Sequence, residues 1–162
     1  MSPKVISEGN IVKVSPNDDF EYFFGYYDKS PWDANMRYMI CMRADNTWSE
    51  PDPKGTADIL LIDVSEDSKL SNGFTMVGGK KIAITHTWNV QQGCMAQWLG
   101  PDFQSRIMYN DMRDGKYCSV ILDWETGKEL ILSIPVYSVS SDGKTALSLD
   151  FSRLHSLRLG YG

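Results

Sequence analysis

The sequence predicts an all-β chain built from repeated antiparallel units, and three observations carry that prediction. A segment occurs three times without a gap, as YDKSPWDANMRYMICMR (Tyr27–Arg43), QWLGPDFQSRIMYNDMR (Gln97–Arg113) and YSVSSDGKTALSLDFSR (Tyr137–Arg153). Each copy has a short apolar approach, a turn and a β-rich run closing on an arginine. No stretch sustains a 3.6-residue apolar period, and aromatic residues make up 12% of the chain, a composition that suits strands.

Taken in order, the chain opens with a short strand-like run, Ile11–Val14, bounded by Gly9-Asn10 and by Pro16–Asp19. Phe20–Tyr27 is aromatic and leads into the first copy. Ala44–Gly55 is rich in Pro, Asp and Gly and reads as a loop. An apolar run, Ile59–Ile62, then ends in Asp63. Its counterpart Tyr117–Leu122 ends in Asp123 and is followed by Thr126-Gly127-Lys128, a tight turn with Gly where positive φ is wanted. A further strand follows at Glu129–Ile134; in the first unit the matching turn is Asp63–Lys69.

A unit therefore holds four strands, A to D: one before the turn, one ending at the arginine, one ending at the aspartate and one after Thr-Gly-Lys. Four antiparallel strands recurring at about 40 residues is the signature of β-propeller blades, and Arg113 to Arg153 spans 40 residues. The predicted fold is a single all-β domain, 1–162, of incomplete β-propeller type. It holds nearly three blades: about 20–75, about 93–135, and a partial third at 136–162 that stops after strand B. Such an array leaves open sheet edges, which invite pairing. A partner is expected there, either missing propeller blades or further copies of the chain closing a ring.

The first blade carries extra residues, because Arg43 to Arg113 is 70 rather than 40. Arg43 to Asp63 is 20 against 10 for Arg113 to Asp123, which places ten extra in the Ala44–Asp58 connection. Asp63 to Arg113 is 50 against 30 for Asp123 to Arg153, which places twenty between Leu70 and Cys94. Both would be B–C or D–A connections, which share one end of an up-and-down meander. The three arginines close strand B and point to that end too.

The formal net charge of −5 and the lack of a basic run argue against a nucleic-acid partner. Cys41, Cys94 and Cys118 show no metal-like spacing and read as small buried apolar residues. No window approaches a membrane span, and the N-terminus has no apolar region of signal-peptide length. The sequence as it stands reads as a soluble, cytoplasmic chain, with a secreted or periplasmic location left open.

The candidate binding residues gather on the insertion-bearing end. Arg43, Arg113 and Arg153 there would suit an anionic ligand such as a uronate or phosphate, since a guanidinium offers paired donors. Their structural alternative is ion pairing, for instance with Asp28, Asp111 or Asp150. Trp48 and Trp88 lie in the insertions, where an indole can stack on a sugar ring; Trp32 and Trp98 flank the A–B turn and suit packing. The stretch His86–Cys94 gathers a His, Trp88, Asn89, Gln91 and Gln92, and His155 belongs to the same end. Imidazole and amide oxygen together can ligate a divalent cation. No Gly-x-Ser-x-Gly, phosphate loop or His-Glu-x-x-His is present, so peptidase, NTPase and zinc-protease functions lack support. Asp28, Glu50 and Asp52 are available carboxylates that no pattern selects.

The turn Ser140-Ser141-Asp142-Gly143-Lys144, its degraded forms at Ser30–Asp33 and Gly100–Phe103, and Asp123-x-x-Thr126-Gly127-Lys128 resemble those of the TolB-like β-propeller superfamily, over roughly Tyr27–Arg153. That group includes the propellers of prolyl-oligopeptidase-type peptidases and the oligogalacturonate lyases. The latter hold a metal with histidines and a glutamine beside the uronate carboxylate. The resemblance thus implies His86, Gln91, Gln92 and His155 as candidate ligands for Mn or Ca. The function expected first is a non-catalytic propeller module binding carbohydrate, such as an acidic oligosaccharide, or another anion. The alternatives are a metal-dependent polysaccharide lyase or hydrolase, and a protein-interaction scaffold.

Overall fold

The computed structural model describes residues 14–16, 18–48, 55–64 and 79–158. The described chain is mostly β, in antiparallel sheets, with one short helix. β1 (Glu21–Phe23), β2 (Tyr38–Ala44), β3 (Ala57–Asp63) and β4 (Lys80–Thr85) form one four-stranded sheet in sequence order. β5 (Gln97–Trp98), β6 (Arg106–Arg113), β7 (Lys116–Asp123) and β8 (Glu129–Leu132) form a second of the same order. β9 (Ser138–Val139) and β10 (Ala146–Leu147) make a two-stranded hairpin, followed by α1 (Phe151–Leu157). The sheets do not close on themselves.

The repeat expected from sequence is visible in the register. Trp98 pairs with Ile107, and forty residues on Ser138 pairs with Leu147. Glu21 pairs with Ala44, which lies on the same register line seventy residues earlier, since 21 + 44 equals 28 + 37. Nearer the turn the first unit slips, and Trp32 bridges Met39 instead, so Phe24–Ser30 form an excursion out of the A–B ladder.

The turns are held by aspartates, as small side chains that accept backbone N–H groups commonly do. Asp33 Oδ1 accepts from Arg37 N and Tyr38 N, both at 2.7 Å. Asp142 Oδ1 accepts from Ser140 Oγ at 2.6 Å and Lys144 N at 3.0 Å. Asp123 Oδ1 accepts from Thr126 N at 2.8 Å, with Gly127 at φ 73°, as the Thr-Gly-Lys pattern predicts. β6 and β7 are joined by Asp114-Gly115 alone, both at positive φ (52° and 71°), the two-residue turn whose twist matches the strands it joins. Gly143 has φ 71°, and a Cβ there would lie 2.4 Å from Gly100 O, so only glycine lets the second and third turns approach.

Side chains alternate along each strand, and one set from each sheet meets in a shared core. Ile40, Met42, Ile59 and Leu61 pack with Trp98, Ile107, Tyr109, Val120 and Leu122. On the far face of the second sheet, Leu99, Met108 and Val136 are buried beside Val139 of the hairpin. The three cysteines are buried and unpaired, as expected. Burial pushes the Cys41 thiol up to about 11 and that of Cys94 to about 12.

Three expectations need correction. The third unit does not continue strand B to Arg153: after β10, Asp150 Oδ1 accepts from Arg153 N at 2.9 Å, caps α1, and turns the chain into a helix with Phe151 buried. The twenty extra residues of the first unit do not all sit near the D–A end. The β3–β4 connection runs from 64 to 79, sixteen residues, against five (124–128) between β7 and β8. That connection is at the opposite end of the strands. The fourth strand of the first unit is accordingly Lys80–Thr85, beyond the boundary expected near 75. The ten extra B–C residues are where the sequence placed them, with twelve residues (45–56) against two. Ile11–Lys13 and most of the turn Asp63–Lys69 lie outside the described residues.

Candidate functional site

The end of the sheets that carries the B–C connections gathers most of the residues singled out from sequence. Register fixes this: Glu21 faces Ala44, Arg43 faces Asp58 and Ala57 faces Thr85 across the first sheet. Thr85 Oγ1 donates to Asn110 O at 2.8 Å, bringing the C-terminal end of β4 to that of β6.

A groove of about 400 Å³ opens along β1 at this end, lined by Asp18, Phe20, Glu21, Tyr22, Thr47 and Val90 among others. Asp18 accepts from Phe20 N at 3.1 Å and from the Tyr22 hydroxyl at 2.7 Å, which holds the segment entering β1. Glu21 Oε2 accepts from Thr47 N at 2.9 Å and from the Thr47 hydroxyl. The Thr47 hydroxyl holds the Glu21 carboxyl below its ordinary range against the opposing effect of desolvation, with lesser help from the Thr47 N–H and the Trp48 indole. Phe20 is 41% exposed and Trp48 is 90% exposed. Trp48 N is anchored by Asn46 Oδ1 at 2.7 Å, so the backbone carrying the indole is positioned while its ring faces solvent.

A second cluster ties the two sheets together. Asp111 is fully buried, and its Oδ1 accepts from His86 N at 2.8 Å, His86 Nδ1 at 2.9 Å and Met112 N at 2.8 Å. Its Oδ2 accepts from Arg113 Nε, and Arg113 also lies 3.6 Å from Glu129. Burial alone would raise the Asp111 pKa, but the His86 and Arg113 donors and the Met112 N–H outweigh it and hold the carboxyl below its ordinary value. The bond to Asp111 commits the Nδ1 proton of His86, whose side chain is 52% accessible.

The three arginines do not form one anion site. Arg43 is held by Asp58, at 3.1 Å from Nε, and Asp58 is shared with Lys81 at 2.6 Å. Burial would raise the Asp58 pKa, but Lys81 and Arg43 together bring it below the ordinary value. The Arg43 guanidinium also sits 4.5 Å over the Phe20 ring. Arg113 serves Asp111, the pairing allowed for from sequence, though within its own strand. Arg153 is exposed on α1.

Trp88 is 9% exposed and packs at 5.6 Å on Phe23, so it belongs to the core rather than to a sugar platform; its Nε1 has no hydrogen-bond partner. Asn89 and Gln92 are buried and bonded to each other, with Gln92 N to Asn89 Oδ1 at 2.7 Å. They shape the loop between β4 and β5. Gln91 and His155 are exposed. The four residues implied as metal ligands thus occupy different settings: His86 is bound to Asp111, Gln92 to Asn89, and His155 lies on α1. Among the described residues no group of three or more His, Cys, Asp or Glu could hold a metal.

The groove itself was missed from sequence. Its local signal was present in Asp18-Asp19-Phe20-Glu21-Tyr22-Phe23, acids interleaved with aromatics before a strand. Its wall from Thr47 and Val90 is a long-range contact that no spacing announces. No family model matches this chain, and neither a curated protein nor a solved structure shows a significant match. Among the described residues no helix is long and apolar enough to cross a membrane.

Proposed function

We propose that this chain is a non-catalytic β-propeller-type module that binds carbohydrate at the end of the sheets where the B–C connections lie. The observation that carries this is the groove along β1: one exposed aromatic face, carboxylate and hydroxyl groups beside it, and the exposed indole of Trp48, four residues past β2, the strand paired with β1. Sugar sites combine aromatic faces that match C–H patches with acceptors for ring hydroxyls. The propeller assignment is supported by two consecutive four-stranded meanders, a third unit in the same A–B register, and turns that pack side by side, with Ala34 N donating to Phe103 O at 3.0 Å. The turn motifs that resemble the TolB-like superfamily support it as well. Titration with a panel of oligosaccharides, followed by intrinsic Trp fluorescence and calorimetry, tests this. Binding is expected to quench the signal, with Trp48→Ala losing the quench and Phe20→Ala weakening affinity at least tenfold. A panel without response in either readout overturns the proposal.

A protein-interaction role is favoured by one separate observation. Leu130, Ile131 and Ile134 at and beyond β8, and Leu147 and Leu149 at and beyond β10, are 43–67% exposed. Exposed apolar residues on sheet edges suit pairing with another strand. Light scattering giving an integer multiple of the chain mass, reduced to one by Leu147→Lys with Ile131→Lys, is the expected outcome; a monomer for the unsubstituted chain counts against it.

A further inference from the structure

We infer that the saccharide taken by the groove is an amino sugar, one carrying a free ammonium group; this deepens the carbohydrate proposal above and rests on it. The groove combines a partly open aromatic ring, Phe20, with Asp18 and Glu21 and the Thr47 hydroxyl, and among the described residues none of its lining side chains is cationic. The nearest guanidinium, Arg43, covers one side of the Phe20 ring and is itself held by Asp58, so it offers no free fork to a uronate. Arg113 is spent on Asp111, and Arg153 lies on α1, so none of the three arginines makes this an anion site. The Glu21 carboxyl is kept ionised chiefly by the Thr47 hydroxyl, which engages its Oε2, so the groove carries a negative charge at this point. A carboxylate-lined groove in a chain of net charge −5 repels an acidic sugar and attracts an ammonium. An aromatic face beside those carboxylates adds attraction for both the cation and the apolar face of a pyranose ring.

The test is calorimetry on the full chain at low salt with three probes: a fully deacetylated chito-oligosaccharide, its N-acetylated counterpart and a galacturonate oligomer of equal length. The deacetylated probe is expected to bind at least tenfold tighter than the acetylated one, with no measurable binding of the galacturonate. Asp18→Asn and Glu21→Gln are each expected to reduce that preference, with the deacetylated probe losing more affinity than the acetylated one. Equal affinity for the two chito-oligosaccharides, or a preference that both variants retain, overturns the amino-sugar inference and leaves the carbohydrate proposal standing. Tighter binding of the galacturonate overturns it in favour of an acidic ligand. Failure of all three, together with a silent sugar panel, removes both.

Discussion

The second and third units carry the same pattern forty residues apart, and they end in different structures. Ile107, Tyr109, Asp111 and Arg113 of β6 correspond to Leu147, Leu149, Phe151 and Arg153. β6 runs for eight residues, paired along its whole length with β7 across the Asp114-Gly115 turn. β10 runs for two, and no strand pairs with its outer edge among the described residues. Ile107 is fully buried, whereas Leu147 is 67% exposed. The difference teaches that the alternating pattern is permission to form a strand, not a guarantee of one. Backbone groups need partners, and where β10 finds none, Asp150 offers a helix cap that satisfies them locally.

The largest test of that contrast is truncation at equivalent positions. Ile107→Ala is expected to cost about 2–5 kcal/mol by loss of buried volume, and Leu147→Ala less than about 0.5 kcal/mol. Urea denaturation reads both; equal losses would mean that the third unit is as tightly built as the second. Next come the paired arginines. Arg113→Ala strips a donor from a buried carboxylate and should destabilise by about 2–3 kcal/mol, while Arg153→Ala should stay within about 0.5 kcal/mol.

Asp111 supplies a pH counterpart. Its folded pKa lies below the unfolded value, so its contribution is present above about pH 4 and is lost as pH falls through the lower folded value. Asp111→Asn is expected to flatten the acid limb of stability against pH; an unchanged limb would show that the carboxylate is not responsible. Of intermediate size is Asp150→Ala, which removes the cap of α1 at a cost of about 1 kcal/mol, visible as lost helical chemical shifts at Phe151–Leu157 with β6 untouched. Gly115→Ala is expected to cost about 1 kcal/mol, from the positive φ alone, because nothing lies within 4 Å of the added carbon. Gly143→Ala should exceed it, since there the new carbon meets Gly100 O.

Much of the architecture was legible in advance because it follows from short-range chemistry. The alternation in Arg106–Arg113 and Lys116–Asp123, the Thr126-Gly127 turn and the Ser140–Lys144 turn each depend on residues within a few positions of one another. The count of extra residues located the long B–C connection correctly, because connection length is arithmetic. The same arithmetic misplaced the second insertion, since it cannot say on which side of a strand the surplus falls; β4 begins later than expected and moves most of the surplus to the opposite end.

The binding residues divide along the same line. His86 was singled out for its type and Asp111 only as a pairing option for an arginine, and packing of β4 against β6 makes them one hydrogen-bonded unit. Arg43, Arg113 and Arg153 look equivalent in the repeat, but the side-chain partners Asp58, Asp111 and the backbone cap at Asp150 give them three different environments. Trp48 and Trp88 look alike as insertion tryptophans, and burial against Phe23 withdraws one of them. What the sequence determined by itself is where strands and turns form, because period and turn chemistry act over a few residues. Which end a side chain serves, whether a charge is already satisfied, and that a groove lies along β1 were decided only by the tertiary structure, because burial and pairing are properties of residues far apart in the chain.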